Sequence, residues 1–364
     1  MTMPPTRSAT VPQRKSAAIA LLLVAEVAAM SLWFVSAAIL PDMLREAPLS
    51  PFRQAALSSG VQAGFVVGAL ASAILGLADR FDPRRVFALC AVGAGFANAV
   101  LLVAPPGGGA AIVARIMTGA LLAGVYPVGM KIAVGWGQRD RGFLVGALVG
   151  ALTLGSAAPH LIALAGGADW RVTVAAASLA AAIAGVLCLA ASLGPHHGRA
   201  ARFDPRVIAA AWTNRRVRLA YAGYLGHMWE LYAMWAWIAA ASAASYAATL
   251  SAAEAERLAK ITAFVAIGGP AWLTFAIVTV WGIAIVPDSA QFSALVADAA
   301  LPEQAGSLMT FQTALGFALT FATVQATPVI AAAIGWPPVL AGLALGPAFG
   351  IVAMLRLRAL TRAG

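Results

Sequence analysis

Ten apolar runs, each about the length a helix needs to cross a bilayer, set what this chain can fold into. They lie near residues 17–41, 54–78, 85–104, 109–133, 142–166, 172–193, 219–247, 272–297, 306–327 and 331–355. Roughly 20 mostly apolar residues are needed per crossing. Only helices and closed barrels satisfy their backbone groups in lipid, and runs of this length are helical. Of the 364 residues, 61% are hydrophobic and 10% charged, well outside the usual composition of a soluble domain. No stretch between the runs is long enough for a separate soluble core. The sequence therefore specifies an all-α polytopic membrane protein.

The net charge of +10 suggests nucleic acid at first, but its placement argues otherwise. With an inside N-terminus and ten crossings, most Lys and Arg fall on one side. These include Arg7, Arg14, Lys15, Arg80, Arg84, Arg85, Lys131, Arg139, Arg141, Arg215, Arg216, Arg218 and Arg356. Arg45, Arg53, Arg171, Arg257 and Lys260 fall on the other. This is the positive-inside pattern, so the charge reports topology and no nucleic-acid partner is expected. Both termini are expected in the cytoplasm. The first run follows basic residues as a signal peptide would, but it is too long for an h-region and Glu26 interrupts it. Cys90 and Cys188 lie in apolar runs and read as small packing residues, with no disulfide framework and no metal site.

Two runs share a pattern. Glu26, Ala29, Met30 and Trp33 recur as Glu230, Ala233, Met234 and Trp237. A carboxylate deep in a membrane helix is costly and usually faces protein or a wet cavity. Two at matching positions suggest a duplicated protein with a site between its halves. On a continuous helix Met30 and Trp33, at i+4 and i+7, share the face of Glu26. Gly60, Gly64 and Gly68 form a small-residue stripe that permits close helix approach, with Gln62 beside it. The 219–247 run carries His227, Trp229, Tyr232 and Trp235 around Glu230, the polar and aromatic content of a cavity wall.

Several short motifs bear on the family. Gly76-Leu77-Ala78-Asp79-Arg80-Phe81-Asp82-Pro83-Arg84-Arg85 resembles the loop between helices 2 and 3 of the major facilitator superfamily, with Asp82 and Pro83 as departures. The resemblance implies a conformational latch at Asp79, Arg80, Arg84 and Arg85. Arg115-x-x-Thr118-Gly119 resembles the family's helix 4 pattern, with Thr for Gln, and implies that Arg115 serves a nearby carboxylate. Pro127 in the same run should kink the helix. Gly146-x-x-x-Gly150-Ala151 resembles a shortened form of the family's antiporter motif and leans toward export. His160, after Pro159, reads as a packed residue.

Residues 194–218 form a basic cytoplasmic linker, with His196 and His197 not spaced for a metal. It divides the chain into a six-helix half, 1–193, and a shortened half of about four helices, 219–364. Gly108-Gly109 matches Gly268-Gly269 and Pro127 matches Pro287. That offset falls short of the Glu26–Glu230 offset by about two spans and a turn. The chain thus resembles a major facilitator transporter lacking the equivalents of helices 8 and 9, with 259–267 as a stub of helix 8.

What the resemblance implies is a secondary transporter, working by alternating access on a small solute, proton-coupled, in a bacterial inner membrane. The Arg-over-Lys and Ala-rich composition fits such a source. The expected solute and proton residues are Glu26, Glu230, Arg115, Trp33, Trp237, Gln62, Tyr232 and Gln312. Membrane lipids are partners by necessity; a cofactor, a nucleotide site and an enzymatic motif are not expected. Two other readings stay open: a non-transporting relative with a sensing or assembly role, and an anion uptake porter using Arg115 as its charge.

Overall fold

The computed structural model describes residues 15–137, 140–166, 169–196, 204–268, 292, 295, 296 and 298–363. Among these residues there is no strand. The helices are α1 (Lys15–Met30), α2 (Val35–Glu46), α3 (Pro51–Leu75), α4 (Leu77–Arg80), α5 (Pro83–Ala99), α6 (Gly109–Leu122), α7 (Tyr126–Val134), α8 (Arg141–Ala165) and α9 (Trp170–Ala190). After the linker come α10 (Ala210–Thr213), α11 (Arg215–Tyr246), α12 (Ala252–Gly268), α13 (Pro302–Ile334), α14 (Trp336–Leu343) and α15 (Leu345–Ala363). Among the described residues, eight stretches are long and apolar enough to cross a membrane: Lys15–Glu46, Pro51–Leu75, Pro83–Leu102, Gly109–Val134, Phe143–Ala165, Trp170–Ala190, Ser307–Ile334 and Trp336–Arg362. The 219–247 run is the 32-residue α11, which tolerates His227 and Glu230 because most of it is buried among other helices. The run expected at 272–297 lies almost wholly outside the described residues.

Local chemistry explains most of the ends. Ser50, Asp82, Asp169 and Asn214 each cap a helix by accepting a backbone N–H; Pro51 and Pro83 follow the first two, where a missing donor costs nothing. Gly76, at φ 61, ends α3, a conformation that glycine adopts without a Cβ clash. Pro127 sits in the first turn of α7, and the run breaks just before it, at 123–125. Gly335, at φ 84, ends α13, so the turn before the last run lies some residues later than the sequence suggested. The expected stub at 259–267 is the longer α12, begun by a capping box in which Ser251 and Glu254 bond one another's backbone and side chains.

Close approach within each group of helices rests on glycine. A Cβ on Gly64 or Gly68 would strike the backbone of α6 at Ile116 or Ala120, and one on Gly119 would strike Val61 of α3. Gly226 of α11 meets Gly346 and Gly350 of α15 in the same way. By contrast a Cβ on Gly146 or Gly150 meets nothing within 4 Å, so the helix 5 pattern makes no tight contact there. The tight helix 5 glycine is Gly155, packed on Val27 and Met30 of α1. The linker is less of a free tether than expected: Val207 and Ala211 pack with Val217, Tyr221 and Leu308. His197 lies outside the described residues.

The N-terminal and C-terminal helices meet mainly where α3 lies along α13 and α8 along α12. If backbone contact at the α3–α6 crossing holds the N-terminal helices together, Gly119→Val should lower stability by about 1–3 kcal/mol or more. Gly146→Ala should leave it unchanged or slightly raised. Thermal unfolding of the detergent-solubilised protein separates the two, and equal melting temperatures for both variants would refute the packing argument.

Candidate functional site

The first span is not one helix. Residues 31–34 form turns between α1 and α2, although no proline or glycine stands there to break it. The cause lies in α6. Arg115, fully buried, donates from one guanidinium nitrogen to the carbonyls of Leu32 at 2.9 Å and Trp33 at 2.8 Å. Its other terminal nitrogen donates to Asn98 Oδ1 at 2.6 Å. Asn98 in turn donates to Ser178 Oγ at 2.9 Å. Carbonyls released by a broken helix must find partners away from water, and a planar, multi-donor guanidinium can serve two at once.

The break separates the direction of Trp33 from that of the α1 side chains. Glu26 sits on α1 and turns its carboxylate toward α7, where a Cβ on Gly129 would lie 2.6 Å from Oε2 and 3.5 Å from the Phe87 ring. Met30 packs on Gly155. Trp33 points to the seam between the N-terminal and C-terminal helices. A straight helix would have put all three on one face; Glu26 and Met30 keep their register within α1, and the turns at 31–34 take Trp33 out of it.

At the seam Trp33 enters a cluster of aromatic rings. Its centroid lies 5.0 Å from Phe65 of α3, 5.6 Å from Tyr232 of α11 and 5.5 Å from Phe317 of α13. Phe65 and Phe317 are 4.4 Å apart, and Tyr232 and Phe317 5.0 Å. Phe34 and Trp235 extend the group through Tyr232, at 6.1 and 5.5 Å. The tilted geometries are those that aromatic quadrupoles favour. Ser58, Gln62 and Phe65 follow at i, i+4 and i+7 on α3, so they share a face. Gln62 is fully buried, and neither end of its amide has a partner; the same holds for Trp33 Nε1 and Ser58 Oγ.

The other expected site residues stand elsewhere. Both Glu26 oxygens are buried without a partner. Glu230 is buried and engaged in an interaction of its own; by helical phase it shares the Gly226 face of α11, away from Tyr232. The two acids thus face different helices, Glu26 toward Gly129 of α7 and Glu230 on the Gly226 side of α11. Trp237 donates Nε1–H to the Val324 carbonyl at 3.0 Å and lies beside Trp336. Gln312 is buried one turn before Gly316, where α13 passes the Tyr224 ring, off the Phe317 face. Arg115 pairs with no carboxylate among the described residues, so it does not serve one directly. Phe65, Phe317, Asn98 and Ser178 escaped sequence reading because isolated apolar or small polar residues in a membrane helix carry no signal of their own.

A second cross-seam contact is ionic. Asp42 of α2 accepts from Lys260 of α12 at 3.0 Å, and Lys260 also reaches Glu256 at 3.0 Å. Arg45 pairs with both Asp42 and Glu256. Nearby, Gln325 of α13 accepts from Ser59 of α3 at 2.6 Å and donates to the Phe52 carbonyl. His160 of α8 is fully buried, with both ring nitrogens unpartnered.

In the expected latch, Arg80 and Arg85 are exposed, and the Asp79 side chain lies outside the described residues. Asp82 caps α5 and binds the Arg84 guanidinium at 3.1 and 2.6 Å, while Arg84 reaches the Ala191 carbonyl at the end of α9. The Arg84 hydrogen bonds hold the Asp82 carboxyl below the usual carboxylate range.

A model of the Major Facilitator Superfamily matches residues 21–288. No curated protein sequence matches. Among solved structures the chain is similar to the nucleoside transporter NupG, at TM-score 0.66 and 11% identity over 94% of this chain and 99% of that one. It is also similar to the human organic anion transporter MFSD10, at 0.63 and 14% over 95% and 100%, and to a D-xylose-proton symporter, at 0.64 and 11% over 95% and 97%. At such identities these likenesses concern the fold alone.

Two predictions come from this geometry. Arg115→Met strands the Leu32 and Trp33 carbonyls and should cost roughly 1–3 kcal/mol for each group left without a partner. Arg115→Lys, which keeps the charge but not the fork, should recover little of that loss in thermal unfolding; full recovery by lysine would show that charge alone matters. For Asp82, a carboxyl depressed in the folded state adds stability above its unfolded value, about 3.9, which is lost as pH falls through the lower folded one. Asp82→Asn should therefore be less stable than the parent at neutral pH, and the gap should close in strong acid. A gap that persists unchanged there would rule out the ionic contribution.

Proposed function

Because the chain belongs to the major facilitator superfamily, we propose that it is a secondary transporter that carries a small organic solute by rocking residues 1–193 against residues 219–364 about the linker 194–218. The observation that carries this reading is the aromatic cluster, which draws Trp33, Phe34 and Phe65 from one group of helices and Tyr232, Trp235 and Phe317 from the other. A solute held there contacts both groups and can favour one arrangement over another only through its differential contacts with them. Trp33, Gln62 and Tyr232 are the solute residues in this reading; Trp237 supports the helices around it through the Val324 carbonyl, and Gln312, whose buried amide has no partner at either end, remains a further solute candidate.

Glu26 is assigned the coupling proton. Its carboxylate is enclosed by helices with no partner. An unpaired charge in such surroundings is tolerated only when neutralised or wetted. Glu26 precedes the break in the first span and Trp33 lies within it, so a change at one shifts the other through the Arg115 clamp. Glu230 is the second candidate. Asp79, Arg80, Arg84 and Arg85 are assigned the latch, with Arg84 reaching the Ala191 carbonyl just before the linker; both termini in the cytoplasm of a cell inner membrane accord with the charge pattern, and export with the helix 5 motif. Arg115 is committed to backbone carbonyls, which weakens the alternative in which it binds an anion.

The test is flux in proteoliposomes under an imposed pH gradient. Glu26→Gln should abolish gradient-driven flux at least tenfold and leave solute counterflow intact. Unchanged gradient-driven flux in this variant would falsify the coupling role of Glu26.

A further inference from the structure

We propose that the seam selects aromatic solutes that are not anionic, a step that rests on the transporter reading and names the class of its cargo. The argument is one of exchange. In this structure the rings occupy one another: Trp33 touches Phe65, Tyr232 and Phe317, and Phe65 lies 4.4 Å from Phe317. These contacts join helices from both groups, so a solute can enter the seam only as they part. An aliphatic or heavily hydroxylated solute leaves the lost ring–ring contacts unreplaced. A planar aromatic solute replaces them face for edge.

The polar atoms at the seam refine the class. The Trp33 indole N–H offers a donor, and Gln62 offers both a donor and an acceptor, all buried without partners. A solute bearing one acceptor and one donor at its edge satisfies groups that are otherwise costly to bury. Charge narrows it further. Ring faces are negative and attract cations, while none of the six rings has a Lys or Arg stacked on it among the described residues. Arg115 spends both terminal nitrogens on Leu32, Trp33 and Asn98, and only its buried Nε–H is left without a partner, on a guanidinium held behind the Trp33 backbone. Among the described residues no Lys or Arg lies over the rings to meet an anion there.

A matched series on the purified full-length protein in detergent tests this by calorimetric titration: 2-naphthylmethylammonium, 2-naphthylmethanol, 2-naphthoate and cyclohexylmethylammonium. The first two should bind at least tenfold more tightly than the last two. Phe317→Leu and Phe65→Leu should each weaken naphthylmethylammonium binding about tenfold, while Phe349→Leu, on the exposed face of α15, should not change it. A melting curve for each variant confirms folding, and the ligand series on the parent protein needs no variant at all. Equal binding of the naphthoate or the cyclohexyl amine, or no effect of either ring variant, overturns the proposal. Flux separates it from the broader reading. Movement of a sugar but not of the naphthyl amine leaves transport standing and sinks the aromatic class. Tight, ring-dependent binding without flux supports the site and sinks transport.

Discussion

The buried guanidinium of Arg115 is the contact on which the arrangement of the site depends. In water, a helix that breaks at 31–34 can give its carbonyls to solvent. Inside a membrane bundle it cannot, and each orphaned group carries a penalty. Arg115 removes that penalty for Leu32 and Trp33 at once, and Asn98 and Ser178 fix the guanidinium from behind. The break in turn frees α2 from the register of α1. Glu26 can then face α7 while Trp33 faces the seam. A buried acid and an aromatic cluster carried by one apolar run are thereby given separate surroundings.

Packing within the groups and packing between them use different chemistry. The crossings α3–α6 and α11–α15 bring backbones together over Gly64, Gly68, Gly119, Gly226 and Gly346. Such contacts have one good geometry, since a small shift puts backbone against backbone or opens a void. The seam instead relies on rings, amides and ions. Aromatic contacts span tilts between 25° and 75° here, so they do not demand one geometry. Rigid groups joined by an adaptable seam are what movement of one body against another requires.

The sequence was most informative where lipid imposes the rules. Run length gave the helices, the Gly60–Gly64–Gly68 stripe gave the α3–α6 contact, and Pro127 gave the break in the fourth span. It was least informative where a distant partner decides. Nothing local to Ser31-Leu32-Trp33-Phe34 predicts a break, because the group that satisfies its carbonyls is an arginine in another helix. The repeated Glu-x-x-Ala-Met-x-x-Trp pattern therefore suggested equivalent sites, yet Trp33 lies in the ring cluster and Trp237 bonds the Val324 carbonyl. Phe65 and Phe317 gave no signal, since a lone phenylalanine in an apolar run is the commonest kind of residue there. The matches that suggested lost helices involve Gly269 and Pro287, both outside the described residues.

The ionic ring at Asp42, Arg45, Glu256 and Lys260 shows why anchor and closure need opposite surroundings. Asp42 and Lys260 side chains are nearly sealed, at 1% and 7% exposure, while Arg45 is 49% exposed. The ring therefore has a dry edge facing the seam and a wet edge facing out. For a buried pair, the Coulombic gain and the desolvation cost come close to cancelling. Water admitted at the wet edge returns the hydration that closure removed, so such a ring opens at small net cost. Arg115 has no such edge. Its carbonyl partners would be stranded in apolar surroundings if it let go, and that asymmetry makes one cluster of charged hydrogen bonds a fixed pin and the other a closure that can part.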